Sequence, residues 1–310
     1  MRKANPLVSF IIVSYNEPYS LLRESLYSIV YQEYSPIEII HINNGSADFD
    51  FTEELSSTES ICYRYFSNGG LGFTMALNLG VSLASGEYIF RQDPDDFSDI
   101  VRVRTTLKYF NKVDCDFIST SSRIINEKGV TLGLKVLNAN KYLTLSNLEF
   151  SNPLVHGSLA FKKKSMQLLG GYNESFVNSQ DYELYAYALI KGLKIYLVPE
   201  LLYSLRIRVG SVSSFQITSF KQTALSWYIK QYIVLLKSDQ RIQFDENLFQ
   251  GFPMGNIYVD KIVYRKRLYA LSVNGNIIDV CKSIRIKYFF HWIRALIISL
   301  SPKYFYKCFY

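Results

Sequence analysis

The sequence predicts a doubly wound α/β domain, a mostly parallel sheet flanked by helices, followed by a mainly helical C-terminal extension. Three observations predict it. Short apolar runs alternate with helix-spaced ones through the first half, a polar cluster follows each of several runs, and beyond Ser214 the apolar spacing is mostly helical.

The elements follow in order. Leu7 to Val13 is a buried-strand run that ends at Ser14-Tyr15-Asn16-Glu17. Pro18 suits a first helical turn, and Leu22, Leu26, Ile29 and Val30 then share a helix face. Ile37 to Ile42 is the next strand, closed by Asn43-Asn44-Gly45-Ser46, and Cys62 to Phe66 is a third. Leu71, Met75, Leu79 and Leu83 mark a second helix, which Gly86 stops before the strand Tyr88 to Arg91. That strand runs into Asp93-Pro94-Asp95-Asp96, with a helix beginning near Ile100. From Phe117 the pattern loosens, and 126–150 reads as a polar, irregular loop with a short helix. Gly157 to Phe161 is a strand, Gly170-Gly171-Tyr172 a turn, and Gln180 to Lys191 a helix ended by Gly192. Ile195 to Val198 and Leu202 to Ile207 are two short strands separated by Pro199-Glu200. The expected domains are 1–214 and 215–310.

This architecture has a functional consequence. Ligands of open α/β sheets bind beyond the carboxyl ends of the strands, near the point where strand order reverses. The polar clusters at 14–17, 43–46 and 93–96 all follow strands, so they should line one crevice.

Composition narrows the class. The net charge of +7 is concentrated: after Asp279 there is no acidic residue, while Lys282, Arg285, Lys287, Arg294, Lys303 and Lys307 carry six positive charges. The rest of the chain sums to about +1 (7 − 6), so nucleic acid is not expected as a partner. Cys62, Cys115, Cys281 and Cys308 lack paired ligand spacing, which argues against a disulfide framework or a zinc site and fits a reducing cytoplasm. The apolar run after Met1-Arg2-Lys3 is short and lacks a small-residue cleavage site, so no signal peptide is expected. No stretch reaches the about 18 apolar residues that a membrane span needs.

Asp93, Asp95 and Asp96 place three carboxylates in four residues directly after a strand. Carboxylate oxygens suit a hard ion such as Mg2+ or Mn2+, and an ion held by one or two of them keeps positions open for diphosphate oxygens. The same residues make a good Asx-turn and helix N-cap. Alone, the turn is evenly balanced between those readings.

Its company tips the balance. Val8-Ser9-Phe10-Ile11-Ile12-Val13-Ser14-Tyr15-Asn16-Glu17 resembles the opening of family 2 glycosyltransferases of the GT-A (Rossmann-like) fold. So do Ser28-Ile29-Val30-Tyr31-Gln32, Glu38-Ile39-Ile40 leading to Asn43-Asn44-Gly45-Ser46-Ala47-Asp48, and Ala84-Ser85-Gly86-Glu87-Tyr88-Ile89 before the acidic turn. Gly170-Gly171-Tyr172-Asn173-Glu174, Gln180-Asp181-Tyr182-Glu183-Leu184 and Gly192-Leu193-Lys194-Ile195 are similar to that family's acceptor-side half. The agreement spans roughly 7–214.

The resemblance implies roles. Ser14, Tyr15 and Glu17 would contact the base and ribose, with Asn43 or Asn44 in place of the family's base-recognising Asp. Asp93 would sit near the ribose, Asp95 would hold the metal, and Asp181 would be the general base. The implied donor is a UDP, dTDP or GDP sugar, and the implied acceptor a glycan or lipid-linked glycan. The implied reaction is an inverting transfer in bacterial O-antigen (lipopolysaccharide), capsule or other surface-polysaccharide synthesis. Read from its position alone, Asp181 is equally a first-turn carboxylate favoured by the helix dipole, with Asn178 or Ser179 as the cap.

Three departures from the family pattern stand out: the Asn43-Asn44 pair, Leu77 where many relatives carry Arg, and Gln180 beside Asp181. They keep open an inactive nucleotide-binding partner subunit. A nucleotidyltransferase ranks last, because no Gly-rich, Lys/Arg-bearing loop follows the first strand. Arg208 has the fork of donors to bind diphosphate, with an ordinary strand-end Arg as the equal alternative. His156 reads as structural. In the tail, Lys287, His291 and Arg294 form a polar stripe on an otherwise apolar helix. Residues 285–310 therefore read as an amphipathic helix on the anionic inner face of the cytoplasmic membrane, or as one packed on protein or in a dimer.

Overall fold

The computed structural model describes residues 4–56, 61–137, 141–150, 152–208 and 241. They fall in two compact units. The first holds described residues up to Ser122, then Val136–Ser204 and Arg241; the second holds Arg123–Lys135 and 205–208. The extension expected over 215–310, with its terminal amphipathic helix, lies outside the described residues apart from Arg241.

The first half is a run of strand–helix–strand units. Strand β1 (Val8–Ser14), helix α1 (Tyr19–Val30) and strand β2 (Ile37–Asn43) form the first. Helix α2 (Thr52–Leu55), strand β3 (Ile61–Ser67), helix α3 (Phe73–Leu83) and strand β4 (Tyr88–Gln92) complete it. β1, β2 and β4 are buried along their whole length, which is why apolar residues dominate them. Helix α1 buries Leu22, Leu26 and Ile29 as the spacing predicts.

Helix α3 forms where expected but turns a different face inward. Thr74, Ala76, Leu77, Gly80 and Val81 are buried, while Leu71 and Met75 are exposed. The cause is close approach: a Cβ on Gly80 would lie 2.5 Å from Ile11 of β1, so only glycine lets this helix settle on the sheet.

The remaining strands follow helix α4 (Arg102–Lys112), which is preceded by the two-residue strand β5 (Phe97–Ser98). They are β6 (Phe117–Ile125), β7 (Thr131–Lys135) and β8 (Lys141–Tyr142). Helix α5 (Leu145–Phe150), strand β9 (Ala160–Lys162), helix α6 (Lys163–Leu168), helix α7 (Gln180–Ile190) and strand β10 (Ile195–Arg206) end the described chain. The stretch 126–150 holds the expected short helix, α5, but is otherwise not an irregular loop, because its described residues also form strands β7 and β8. Gly157 to Phe161 is a 3-10 turn (His156–Ser158) followed by a strand, not one strand.

The two short strands expected on either side of Pro199 are one, β10. Tyr196 and Leu197 pair with β8, and Tyr203 and Ser204 pair with β5. Pro199 falls in the gap between those two partners, where its missing N–H breaks no ladder on that edge.

Sheet order is β3-β2-β1-β4-β9-β6-β10-β5. The β3-β2-β1-β4 half is parallel; beyond β4 the pairings with β9, and of β9 with β6, are antiparallel. β2 and β4 lie on opposite sides of β1, so strand order reverses between β1 and β4. In the second unit, Asn126 closes a tight turn before β7, and Arg206 donates to the carbonyls of Asn126 and Glu127.

Candidate active site

The carboxyl end of β1 is built by hydrogen bonds. Ser14 Oγ lies 2.8 Å from His41 Nε2, and His41 Nδ1 lies 2.8 Å from the Tyr63 hydroxyl. Burial pushes the His41 imidazole down to about 4, so it is neutral at physiological pH. Tyr15 is 61% exposed, and its backbone N–H donates to the Glu17 carboxylate. Asn43 and Asn44 are both buried. The Asn43 amide spans Gly45 N–H, the Ala47 carbonyl and the Tyr65 hydroxyl, and Asn44 Oδ1 accepts from Gly72 N–H at 3.0 Å. The pair thus holds two loops in place, and Asp48, hydrogen-bonded by Tyr65, is an exposed carboxylate of the loop after β2.

Beside β1, the ladder pairs Ile12 with Gln92, which sets Asp93 next to the Val13–Ser14 end. Arg91 is fully buried and donates to Asp93 Oδ1 at 2.6 Å. The Asp93 N–H donates to the Tyr203 hydroxyl at 3.0 Å, and Ser25 Oγ donates to its carbonyl at 2.9 Å. Arg102 lies beneath, bonded to Gln92, Ser98 and the carbonyls of Arg91, Gly157 and Leu159, with its guanidinium 4.9 Å from the Tyr203 ring. Burial lowers that guanidinium to about 10. Gly157 is required here, since a Cβ would lie 1.9 Å from the Tyr203 hydroxyl and 2.7 Å from Asp93 Oδ2.

Across from the acidic turn stands the first turn of α7. Ser179 occupies its N-cap position in a left-handed conformation (φ 57°) without a side-chain cap hydrogen bond. Asp181 follows, with Oδ2 accepting from Asn152 Nδ2 at 2.7 Å. Burial raises the Asp181 carboxyl above its ordinary range against the pull of its hydrogen bonds, and the Asp93 charge adds to the rise. His156 Nε2 lies 2.9 Å from the Tyr172 hydroxyl, and burial, then Arg91, drives this imidazole well below its ordinary value. The Tyr172 and Tyr185 hydroxyls are raised, by burial first, with Asp181 and Asp93 contributing.

Ser14, Tyr15, Glu17, Asn43, Asn44, Asp93 and Asp95 therefore gather at one end of the parallel strands, and Asp181 feels the charge at its edge. Arg208, half-buried, belongs to the second unit. Sequence reasoning passed over Arg91, Arg102, Asn152 and Tyr203. Arg91 had a legible signal, a cation closing a buried apolar strand; Asn152 and Tyr203 had none. Leu77 is fully buried, a core residue of α3.

Among the described residues no group of three His, Cys, Asp or Glu side chains forms a metal cage. The donor set still fits a hard cation completed by diphosphate oxygens: Asp96 is buried, Asp93 is paired with Arg91, and Asp95 is the partly exposed carboxylate between them. Among the described residues no helix is long and apolar enough to cross a membrane.

Residues 9–167 match glycosyl transferase family 2. An uncharacterized glycosyltransferase of Rickettsia typhi is 29% identical over 86% of this chain and 93% of its own length. An Escherichia coli O-antigen biosynthesis glycosyltransferase is 34% identical over 52% of this chain and 63% of its own. A Pyrobaculum calidifontis mannosyltransferase, solved with GDP-mannose and Mn2+, superposes with a TM-score of 0.56 at 15% identity, covering 97% of this chain and 88% of that one. A strand-order reversal lined with carboxylates, a mixed sheet of the GT-A kind and a family match over half the chain agree: this protein belongs to glycosyl transferase family 2 and is a glycosyltransferase.

Proposed function

We propose that the chain is an inverting, metal-dependent glycosyltransferase. It moves a sugar from a UDP, dTDP or GDP sugar to a hydroxyl of a glycan or lipid-linked glycan, in bacterial O-antigen, capsule or related surface-polysaccharide synthesis. The observation that carries this reading is the pairing of the turn 93–96 with Asp181, a half-buried carboxylate held by Asn152, of raised proton affinity and within reach of the Asp93 charge.

In this reading Ser14, Tyr15 and Glu17 bind base and ribose, Asn43 and Asn44 support that wall, and Asp93 reaches the ribose. Asp95 would hold Mn2+ or Mg2+, and Arg208 would bind the diphosphate; a bound ion supplies positive charge that offsets the leaving diphosphate. The acceptor oxygen attacks the anomeric carbon from the face opposite the phosphate and passes its proton to Asp181. The bond from the anomeric carbon to the β-phosphate oxygen breaks, and the nucleoside diphosphate leaves with the electron pair. Asn152 fixes one carboxylate oxygen of Asp181, and the raised proton affinity makes Asp181 a stronger base. One displacement inverts the centre. The basic tail at 285–310 would hold the enzyme on the inner face of the cytoplasmic membrane, which the binding of full-length chain to anionic against neutral vesicles tests.

The decisive experiment is product detection by mass spectrometry over a donor panel with free and lipid-linked oligosaccharide acceptors. Asp181→Asn should lower transfer about 10²-fold or more while leaving nucleotide binding intact. Full activity in that variant removes Asp181 as the base. Nucleotide binding by the wild type without transfer from any donor favours the inactive partner-subunit reading.

A further inference from the structure

We infer that Asn16 is a positioning residue for nucleotide binding: its side-chain oxygen extends the β1–β2 ladder past the end of the strands and sets the wall against which the nucleoside lies. The inference rests on the nucleotide-site reading above.

The β1–β2 ladder ends at Ser14 opposite Asn43, with one more bond from Asn44 N–H to the Ser14 carbonyl at 2.8 Å. There the two chains separate into different loops. Asn16 takes over the bonding: its Oδ1 accepts from Ser46 N–H at 2.8 Å, Ala47 N–H at 2.9 Å and the Ser46 hydroxyl at 3.2 Å. The side-chain amide stands where a strand would offer its next carbonyl. The backbone is bent to allow it, with Asn16 at φ 57°, a left-handed conformation that Asn and Asp tolerate better than most residues. The opposing loop is shaped to match, since a Cβ on Gly45 would lie 2.6 Å from Asn16 Oδ1 and 2.8 Å from Asn16 N. The residues that Asn16 holds in place are its neighbours: exposed Tyr15, Glu17 and the 46–48 loop that carries the exposed Asp48.

Asn16 therefore acts on the base and ribose and not on the diphosphate, which gives it a signature. The test is calorimetric titration of the full chain with UDP, GDP and dTDP plus Mn2+, and with the matching monophosphates. Asn16→Gly keeps the left-handed backbone and loses the acceptor. It should weaken the nucleotide that the wild type binds by about tenfold or more, equally for mono- and diphosphate. Asn16→Asp keeps both acceptor and backbone and should stay within about threefold. Gly45→Ala, which pushes the amide aside from the opposite loop, should reproduce the Asn16→Gly loss and add little to it in the double variant. That second route decides the matter if Asn16→Gly folds poorly. Wild-type binding by Asn16→Gly, a loss in Asn16→Asp equal to that in Asn16→Gly, or a loss confined to the diphosphates overturns the inference. A wild type that binds none of these nucleotides overturns the nucleotide-site reading itself, and the role of Asn16 with it.

Discussion

In the parallel half of the sheet, most buried polar groups are closed off by partners. Glu38 accepts from Ser9, Arg64 and both the N–H and the hydroxyl of Ser85. Burial alone would raise its carboxyl, yet those bonds outweigh burial and hold it below its ordinary value. His41 uses both ring nitrogens. In the half beyond β4 the balance reverses. Burial wins at Asp181, and the Thr120, Ser122 and Tyr185 hydroxyls are buried with no hydrogen-bond partner among the described residues. The parallel half is largely satisfied scaffold, with Asn68 Nδ2 and Arg91 Nε at its strand ends as the exceptions, while the other half keeps polar groups in an unrelaxed environment, as sites of proton transfer do.

Five variants break or sharpen that contrast. The largest effect is expected at Arg102, the buried cation that joins the two halves under the acidic turn. Arg102→Ala should cost about 3–5 kcal/mol in urea unfolding, because it strands several buried acceptors. A loss below about 1 kcal/mol would mean that the acidic turn is held by something else.

Next is His41, which the satisfied half keeps neutral. Its folded value of about 4 is depressed from 6.5, so its contribution to stability is present above 6.5 and lost as pH falls through 4. The wild type should lose roughly 3 kcal/mol more than His41→Gln over that window. Parallel pH curves for the two proteins would contradict the assignment.

Asp181 has the opposite sign. Its folded carboxyl is raised above the unfolded value, so the stability it contributes is present below about 3.8 and lost as pH rises through the folded value. Asp181→Asn should therefore raise the melting temperature at neutral pH by about 2–4 °C, trading activity for stability. An unchanged or lower melting point would show that the half-buried charge carries no penalty. The smallest effect is just before α3: Leu71→Ala should stay within about 0.5 kcal/mol, against about 2–5 kcal/mol for Leu77→Ala inside the helix. Equal losses would put Leu71 back in the core.

The same contrast explains what the sequence could disclose. β1, β2 and β4 were legible because buried parallel strands are rich in apolar residues and closed by polar turns, and half-exposed β3 because it is dense in aromatic residues; their loops then converge by topology. Family motifs pointed to Asp181. Elements beyond Phe117 were harder, since β6 carries Ser119, Thr120, Ser121 and Ser122 buried inside it, a polar run that reads as loop. Leu71 and Met75 suggested the wrong face of α3, because the face is chosen by the contact of Gly80 with Ile11, a tertiary event with no trace in hydrophobic spacing. Asn152 reaches Asp181 across 29 residues, and Tyr203 reaches Asp93 across 110, so neither partner was readable locally.

The central claim is a division of labour, with Asp95 on the leaving-group side and Asp181 on the acceptor side. Titration of UDP, GDP and dTDP with and without Mn2+ into the wild type, Asp95→Asn and Asp181→Asn tests it most directly. Mn2+ should strengthen nucleotide binding in the wild type and in Asp181→Asn, and that gain should vanish in Asp95→Asn. A full Mn2+ effect in Asp95→Asn, or nucleotide binding abolished in Asp181→Asn, would contradict it.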